Sequence, residues 1–349
     1  MPKIIIESHI PAVPDSLALH AEVLRLAPAE ITPAAVADAD ALIVRTRTRC
    51  DASLLKDSRV RIVATATIGT DHLDLPWLAS RGIEAVSAPG CNAPAVGQYV
   101  MAALLRHPSL CPDGDFTRLH GKNIAVVGVG HVGSIVARWA RSLGFNLLPV
   151  DPPRQLRGDL DFQWLSLKQS LPEADIITLH TPLVSSGSHS TFHLIDEATL
   201  ARCRPGVVIV NAARGPVADN QALLNAFRSG HIAPPVIDCW ENEPRISLPL
   251  LDIAATATPH IAGYSREGKL RATRRAVEAV CRCLDIPVPE FPHLSDPTGV
   301  GIPSVTPDLI LSSYDPAADT AALKSSPSSF EALRNNYDYR PEPSFPGRL

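Results

Sequence analysis

The sequence lacks the features that mark membrane proteins and nucleic-acid-binding proteins. It has no apolar run long enough to span a bilayer and no block of basic residues, the formal net charge being -4. The residues after Met1 form a short apolar stretch followed by charge, which is not typical of a signal peptide. We therefore expect a soluble, cytoplasmic protein that binds neither nucleic acid nor membrane.

Cysteine is present but without a recognisable pairing pattern. The seven cysteines are odd in number and include no Cys-x-x-Cys pair. This disfavours a disulfide framework and a structural zinc site, so we expect a reducing compartment and no metal. The cysteines stand at positions 50, 91, 111, 203, 239, 281 and 283.

One stretch has the spacing of a dinucleotide-binding unit. An apolar strand is predicted over Asn123–Val127, and it leads into Gly128-Val-Gly-His-Val-Gly133. A helix is predicted at 134–143 and a second strand at 145–150, which ends at Asp151. A strand, a glycine turn, a helix and an acidic residue about twenty residues on together predict a Rossmann-type site.

Each glycine of this turn has a physical role in such a site. Gly128 permits the tight turn, Gly130 lets the backbone approach a pyrophosphate, and Gly133 lets the helix pack close to the strand. The free N–H groups at the helix start, near His131 and Val132, then face the phosphates. A glycine-rich turn without a ligand is the alternative interpretation.

Asp151 predicts NAD as the cofactor. Its carboxylate can accept hydrogen bonds from both ribose hydroxyls and would repel a 2′-phosphate. Arg154 follows three residues later, which leaves some use of NADP open.

Strands and helices are predicted to alternate through most of the chain, which is typical of α/β proteins with parallel sheets. The predicted strands outside the glycine unit are 3–6, 41–44, 62–65, 83–86, 176–179, 207–211, 236–237 and 255–258. The predicted helices are 16–26, 33–39, 95–105, 196–201, 220–229 and 266–284.

This alternation predicts two α/β domains and a tail. We expect a doubly wound, parallel-sheet NAD-binding domain of six strands at residues 99–263. A smaller flavodoxin-like substrate-binding domain is expected at residues 1–98, completed by 264–285. Residues 286–349 are rich in Pro, Ser and Ala, as disordered tails are, but apolar residues at 309–311 and 330–337 indicate partial order. We expect this segment to dock on a partner subunit.

Polar residues follow the strands of the second domain at their carboxyl ends, where ligands of open α/β sheets bind. They are Asp151, His180, Asn211, Asp238 and His260.

Three charged side chains in the same set of loops predict oxidation of a 2-hydroxy acid. Arg214 can clamp a carboxylate, His260 can take a hydroxyl proton, and Glu243 can orient the ring and favour its charged form. The proton would leave the hydroxyl as hydride leaves C2 for the cofactor. Each residue has a purely structural alternative, such as a surface arginine, a solvated glutamate or a loop histidine.

The first domain offers a possible anion site. Arg45-Thr-Arg-Thr-Arg49 follows a predicted strand, and period-two spacing puts its three arginines on one side if the strand continues. A hydroxyl-rich turn from Thr65 and the Pro89-Gly-Cys-Asn92 helix start add further donors. A solvated basic edge is the alternative.

Together these motifs resemble the NAD-dependent D-2-hydroxyacid dehydrogenases over residues 35–285. The segments 65–72, 88–92, 151–154 and 260–264 favour a member that acts on a phosphorylated 2-hydroxy acid as a homodimer. The resemblance implies that Arg214 and Glu243 are active-site residues and that His260 donates or accepts the proton. It implies substrate contacts by Thr46, Thr67 and Tyr264. It implies an NAD site formed by Gly128, Gly130, His131, Val132, Gly133, Asp151, Thr181, Ala212, Ala213, Arg214, Asp238 and Gly263.

The phosphate end of the substrate is assigned less directly. Arg45 is our candidate for it, on the basis of charge. Of the paired basic residues that the resemblance implies near the C-terminus, only Arg340 is present, before Pro341.

Two alternatives to this function stay open from the sequence. The same chemistry could act on another acid, such as glycerate or 3-phosphoglycerate. The chain could also be an NAD-sensing, corepressor-like binding protein without turnover. Retention of Arg214, Glu243 and His260 together argues against the second alternative.

Overall fold

The computed structural model describes residues 1–292 and 304–344, which form two compact units. The first unit comprises Met1–Asn92 with residues 266–292, and the second comprises Ala93–Ser265 with residues 304–344. The boundary expected at residue 98 falls inside a helix of the second unit. Residues 293–303 and 345–349 of the predicted C-terminal segment lie outside the described residues.

The strands are numbered in chain order. They are β1 (Lys3–Glu7), β2 (Glu22–Leu26), β3 (Ala41–Val44), β4 (Ile62–Thr65), β5 (Glu84–Val86), β6 (Asn123–Val127), β7 (Asn146–Val150), β8 (Ile176–Leu179), β9 (Val208–Asn211), β10 (Val236–Ile237) and β11 (Thr256–Ala257).

The α-helices are numbered in the same way, and most connect parallel strands. They are α1 (Pro33–Val36), α2 (Ala52–Leu55), α3 (Leu75–Ser80), α4 (Ala93–Leu105), α5 (His131–Ser142), α6 (Pro152–Leu156), α7 (Leu167–Ser170), α8 (Glu197–Leu200), α9 (Asn220–Arg228), α10 (Leu248–Ile253), α11 (Arg266–Leu284), α12 (Pro307–Ser313), α13 (Ala317–Ser325) and α14 (Phe330–Asn335). No helix in the described part of the chain is long and apolar enough to cross a membrane.

The first unit contains a five-stranded parallel sheet in the order β2-β1-β3-β4-β5, which is the flavodoxin-like arrangement. Ile4 and Ile6 of β1 enter one core and Ile5 enters the other, so both faces of the sheet are covered. Helix α11 contributes Ala276 and Val280 to the first of these cores and packs within this unit.

The prediction of a helix at residues 16–26 is wrong. Asp15–Leu19 forms a short 3₁₀ turn, and Glu22–Leu26 is the edge strand β2, paired in parallel with β1. Every β2 side chain is at least partly exposed, because an edge strand has a neighbour on one side only. The strand therefore lacks the apolar pattern by which the other strands of this sheet were predicted.

The second unit contains a six-stranded parallel sheet in the order β11-β10-β9-β8-β6-β7, which confirms the predicted doubly wound fold. The chain leaves β6 for β7 on one side and returns to β8 on the other side. The carboxyl end of β6 is therefore the switch point at which such sheets bind their ligands. Alternating side chains of β6 fill a core on each face of the sheet.

Described residues of the C-terminal segment pack on the second unit of their own chain. Ile310 and Tyr314 join the core on one face of the six-stranded sheet, and Leu323 and Phe330 join the core on the other face. The Ala257 N–H of β11 donates to Thr320 Oγ1 at 3.2 Å, so α13 also covers the edge strand. Docking of this segment on a partner subunit stays a prediction.

Candidate active site

The glycine turn after β6 is shaped by close contacts that exclude side chains. Gly128 has φ +85°, and a Cβ there would lie 2.8 Å from the carbonyl carbon of His180. A Cβ on Gly133 would lie 2.0 Å from the Gly128 carbonyl oxygen. A Cβ on Gly130 would meet no described atom within 4 Å. The turn is therefore tight against the protein at its two ends and open at Gly130.

Helix α5 begins at His131, three residues earlier than predicted. Its first N–H groups, at His131, Val132 and Gly133, consequently belong to the turn itself. Unpaired N–H groups at a helix start attract anions. This geometry fits the pyrophosphate of a dinucleotide.

Asp151 connects the second strand of this unit to the glycine turn. One carboxylate oxygen accepts from Val129 N at 2.9 Å, and the other caps α6 by accepting from Arg154 N at 3.0 Å. Arg154 donates to Val129 O at 2.6 Å and pairs with Asp159 and Asp161. Because these groups occupy the Arg154 guanidinium, its charge is not available to attract a 2′-phosphate.

Two buried polar atoms beside Gly128 have no hydrogen-bond partner among the described residues. They are Thr181 Oγ1 and His180 Nδ1, and the Thr181 methyl group would lie 2.9 Å from a Cβ on Gly128. Buried polar groups in native proteins are normally paired. A ligand at this turn could complete the hydrogen bonding, so the residues fit a dinucleotide.

Glu243 and His260 lie in hydrogen-bond contact, as expected from the sequence. The two carboxylate oxygens of Glu243 are 3.1 and 2.9 Å from His260 Nδ1, and both side chains are largely buried. Burial raises the pKa of Glu243, but the His260 contact, the hydrogen bond from Trp240 N and the charge of Arg334 together outweigh burial, so the net pKa is lowered. Glu243 is therefore a carboxylate at neutral pH.

Asp238 holds the backbone on which His260 stands. Asp238 is 1% exposed, and its carboxylate accepts from the N–H groups of Ile261 at 2.7 Å and Ala262 at 3.0 Å. Its main-chain oxygen accepts from His260 N at 2.9 Å, and His260 has φ +57°. A non-glycine residue in this left-handed region is rare and is often part of a functional site. The contact between Asp238 and NAD stays a prediction.

The Arg214 loop is fixed by Asn211 and by a glycine contact. Asn211 Nδ2 donates to the carbonyl oxygens of Arg214 at 3.0 Å and Gly215 at 3.3 Å. A Cβ on Gly215 would lie 1.9 Å from Trp240 O, so the Arg214 loop packs directly on the loop that carries Glu243. Ala212 and Ala213 precede Arg214 in this loop, and Gly263 follows Ala262 in the loop of His260.

Cys239 lies beside the Glu243–His260 pair. One potential ligand atom from each of these three residues lies within 4.8 Å of the others. Burial raises the pKa of the Cys239 thiol well above its usual range, with Asp238 and Glu243 adding to the effect. Because metals bind the thiolate rather than the thiol, we assign no metal here.

Helix α14 brings a further arginine, Arg334, to this site. Its Nη1 lies 4.0 Å from Glu243 Oε2, and its Nε donates to Tyr264 OH at 3.2 Å. Sequence reasoning did not place Arg334 in the site. The apolar pattern of 330–337 indicated local order, but nothing in it indicated which loop the helix would contact.

Arg340, in contrast, is a structural residue. It is 6% exposed, and its guanidinium donates to Gln98, Tyr337 and the carbonyl oxygens of Ala95, Ile261 and Ala262. Its Cζ atom also lies 4.1 Å from the centre of the Tyr314 ring. The phosphate-binding role considered for Arg340 is therefore wrong for this conformation, because its donors are already occupied.

The first-unit residues Arg45, Thr46 and Thr67 lie in loops at the carboxyl end of the five-stranded sheet. The prediction that a continued strand aligns Arg45, Arg47 and Arg49 is wrong, since β3 ends at Val44. The cause is the buried carboxylate of Glu7, which accepts from Arg45 N at 2.9 Å and Thr48 Oγ1 at 3.0 Å and bends the chain.

Thr67 belongs to a short chain of hydrogen bonds in the first unit. Its hydroxyl lies 2.7 Å from Thr65 Oγ1, which is 3.1 Å from His72 Nε2. Thr46 is exposed and Arg45 is partly buried. These side chains are consistent with a substrate-binding role, which stays a prediction.

Comparisons with known proteins agree with this geometry. A family model for the NAD-binding domain of D-isomer-specific 2-hydroxyacid dehydrogenases matches residues 111–262. The erythronate-4-phosphate dehydrogenase of Bacteroides fragilis is 43% identical over 342 residues, and the alignment covers 97% of each chain.

Solved structures show the same fold. The TT0316 protein from Thermus thermophilus has a TM-score of 0.68 at 26% identity, covering 82% of this chain and 98% of that one. A D-lactate dehydrogenase from Aquifex aeolicus, crystallised with NAD and lactic acid, has a TM-score of 0.65 at 23% identity, covering 81% and 95%.

Proposed function

The chain belongs to the erythronate-4-phosphate dehydrogenase family of NAD-dependent D-2-hydroxyacid dehydrogenases, and on this premise we propose that it oxidises 4-phospho-D-erythronate at C2. The product is 2-oxo-3-hydroxy-4-phosphobutanoate, in a step of pyridoxal 5′-phosphate synthesis. The observation that carries the proposal is the Glu243–His260 hydrogen bond beside the Arg214 loop, at the carboxyl end of the dinucleotide-binding sheet.

NAD, when bound, accepts the hydride that leaves C2 of the substrate. The glycine turn and the first N–H groups of α5 would hold its pyrophosphate, and Asp151 its ribose hydroxyls. Thr181, whose hydroxyl is buried without a partner among the described residues, would gain one from the cofactor.

His260 acts as the proton acceptor in this proposal. Because Glu243 accepts a hydrogen bond from Nδ1, the ring presents unprotonated Nε2 to the C2 hydroxyl; this tautomer is inferred from the contact. The carboxylate of Glu243 then stabilises the positive charge that develops on the ring as the proton arrives.

Arg214 binds and orients the substrate carboxylate. A guanidinium can donate two parallel hydrogen bonds to a carboxylate, which fixes C2 for hydride departure. Its loop is held by Asn211 and by the contact of Gly215 with Trp240. Arg45, Thr46, Thr67 and Tyr264 are the proposed contacts to the rest of the substrate.

The proposal is tested by substrate-dependent formation of NADH. Purified protein is assayed with 4-phospho-D-erythronate, D-glycerate and 3-phosphoglycerate, and in reverse with the corresponding 2-oxo acids. We expect the highest kcat/KM with 4-phospho-D-erythronate. Activity on glycerate but none on 4-phospho-D-erythronate would contradict the choice of substrate, whereas NAD binding without any turnover would support an NAD-sensing protein.

We also propose a homodimer, as the sequence resemblance implies. Sedimentation equilibrium of the full chain at several concentrations, with and without NAD, measures the oligomeric state. A monomer under all of these conditions would overturn the proposal without affecting the reaction.

A further inference from the structure

Arg334 has hydrogen-bonding capacity that its protein contacts do not use. Among the described residues it makes one hydrogen bond, to Tyr264, and two long ion pairs, 4.0 Å to Glu243 and 3.9 Å to Glu331. A guanidinium carries five N–H donors. By comparison, Arg340 in the same segment makes five hydrogen bonds.

The unused donors lie next to the proposed proton acceptor. Arg334 Nη1 is 4.0 Å from the Glu243 oxygen that itself contacts His260 Nδ1 at 2.9 Å. Arg334 is largely buried, with 20% of its side chain exposed. A partly desolvated guanidinium with free donors binds phosphate strongly and often bidentately.

Arg214 and Arg334 both belong to elements that pack against the loop of Glu243. The Arg214 loop packs on Trp240 O through Gly215, and Arg334 Nη1 lies 4.0 Å from Glu243 Oε2. The site therefore presents two guanidinium groups. Its two carboxylates already have partners, because Glu243 contacts the His260 ring and Asp238 accepts from the N–H groups of Ile261 and Ala262. This charge arrangement suits a substrate with two anionic groups.

We propose that Arg334 binds the phosphoryl group of the substrate, the group for which charge alone suggested Arg45, and so selects a doubly anionic 2-hydroxy acid over a singly charged one. The proposal rests on the proposed function, in which Arg214 binds the carboxylate at the other end of the four-carbon chain. Tyr264, whose hydroxyl accepts from Arg334 Nε, holds the guanidinium in place. In this way the C-terminal segment supplies a specificity-determining residue to the reaction.

The test compares two substrates that differ only in the phosphoryl group, 4-phospho-D-erythronate and D-erythronate. With Arg334→Gln we expect kcat/KM for the phosphorylated acid to fall about 10- to 100-fold, mostly through KM, as loss of a charge-assisted hydrogen bond predicts. We expect the value for D-erythronate to change less than about threefold. Arg334→Lys keeps the charge without the planar fork and should lie between.

Arg340→Gln is the matched control, because it removes an arginine from the same segment that has no unused donors. It should lower the melting temperature and reduce activity on both acids by the same factor. If Arg334→Gln behaves in this way, Arg334 is structural and the proposal is overturned.

The pH profile distinguishes a second outcome. If Arg334 only positions Glu243, its loss should shift the pH dependence of kcat equally with both acids, and this result would also overturn phosphoryl binding. If wild-type protein does not oxidise 4-phospho-D-erythronate at all, the proposed function fails first. Wild-type activity combined with unchanged selectivity in Arg334→Gln would refute the Arg334 proposal alone.

Discussion

Each of the two parallel sheets has, at its carboxyl end, one buried carboxylate and one histidine whose Nδ1 atom is buried. Asp238 and His180 belong to the six-stranded sheet, and Glu7 and His72 belong to the five-stranded sheet. Both histidines contact a strand threonine through Nε2, Thr178 at 2.9 Å and Thr65 at 3.1 Å. Both also bury Nδ1 without a partner among the described residues.

The two carboxylates differ in how completely they are paired. Asp238 uses both oxygens, on Thr258, Ile261 and Ala262. Glu7 accepts through Oε2 only, and its buried Oε1 has no partner in the described part of the chain. The carboxylate with both oxygens hydrogen-bonded thus belongs to the sheet whose loops carry the proposed proton acceptor. Such fixed hydrogen bonds are what preorganised catalysis requires.

The largest expected effect tests whether that network serves catalysis. His260→Ala should lower kcat/KM about 100- to 10,000-fold, because it removes the general base. Thermal stability should also fall, because the largely buried Glu243 carboxylate loses the His260 ring as its hydrogen-bond partner. Glu243→Gln should cause a smaller loss, because the amide keeps the contact but not the charge. Steady-state kinetics and a melting curve of each variant measure this, and an active His260→Ala protein would disprove the mechanism.

A second prediction concerns the carboxylate of Asp238, both oxygens of which are hydrogen-bonded. Asp238→Asn should destabilise the fold by about 2–3 kcal/mol, because one of two buried N–H groups then faces an amide NH₂ instead of an acceptor. Activity should fall with it, as the His260 backbone loses its anchor. Urea unfolding monitored by tryptophan fluorescence measures the first effect. A variant as stable as wild type would show that the network is dispensable.

The histidines predict a pH dependence of stability. Burial lowers the pKa of His180 from 6.5 to about 3, so between these pH values the unfolded chain binds a proton that the folded protein does not bind. The contribution of His180 to the free energy of unfolding is therefore fully present above pH 6.5. It decreases as the pH falls towards 3, by about 2 kcal/mol at pH 5.

His180→Gln should remove this loss, which unfolding at pH 7 and pH 5 would show. Burial also lowers the pKa of His72, so His72→Gln should act in the same direction but more weakly. An equal or larger effect at His72 would contradict the comparison between the two sheets.

The smallest effect is expected at Glu7. In Glu7→Gln the amide oxygen can replace Oε2 towards Arg45 N and Thr48, while the NH₂ group takes the position that has no partner now. We expect a change in unfolding free energy below about 1 kcal/mol. A loss as large as that of Asp238→Asn would show that Glu7 has a partner equivalent to those of Asp238.

Sequence reasoning was most successful where a signal is local. Strands β3, β4, β6 and β8 have the predicted bounds, because continuous apolar runs bounded by turns predict buried parallel strands. It failed at β2, an edge strand with exposed side chains, which forms because its backbone pairs with that of β1. It also failed at Arg45, where a carboxylate 38 residues away ends the strand.

The C-terminal segment shows the same limit. Its apolar residues correctly indicated order, but the two arginines at 334 and 340 are alike in sequence and opposite in environment. Arg334 contacts the active-site loops and keeps N–H donors without a partner among the described residues, whereas Arg340 is enclosed by carbonyl oxygens. No local pattern distinguishes them, because the difference depends on which backbone atoms fold against each one.

The linear sequence by itself determined the dinucleotide turn and the doubly wound fold, since glycine spacing and hydrophobic periodicity act over a few residues. It also indicated which loops carry Arg214, Glu243 and His260, because parallel strands end at one edge of their sheet. Only the tertiary structure decided the hydrogen bonding among those loops and the position of Arg334 beside Glu243 and Tyr264. Such contacts join residues far apart in the chain, and their energy depends on burial and distance, which only the folded backbone defines.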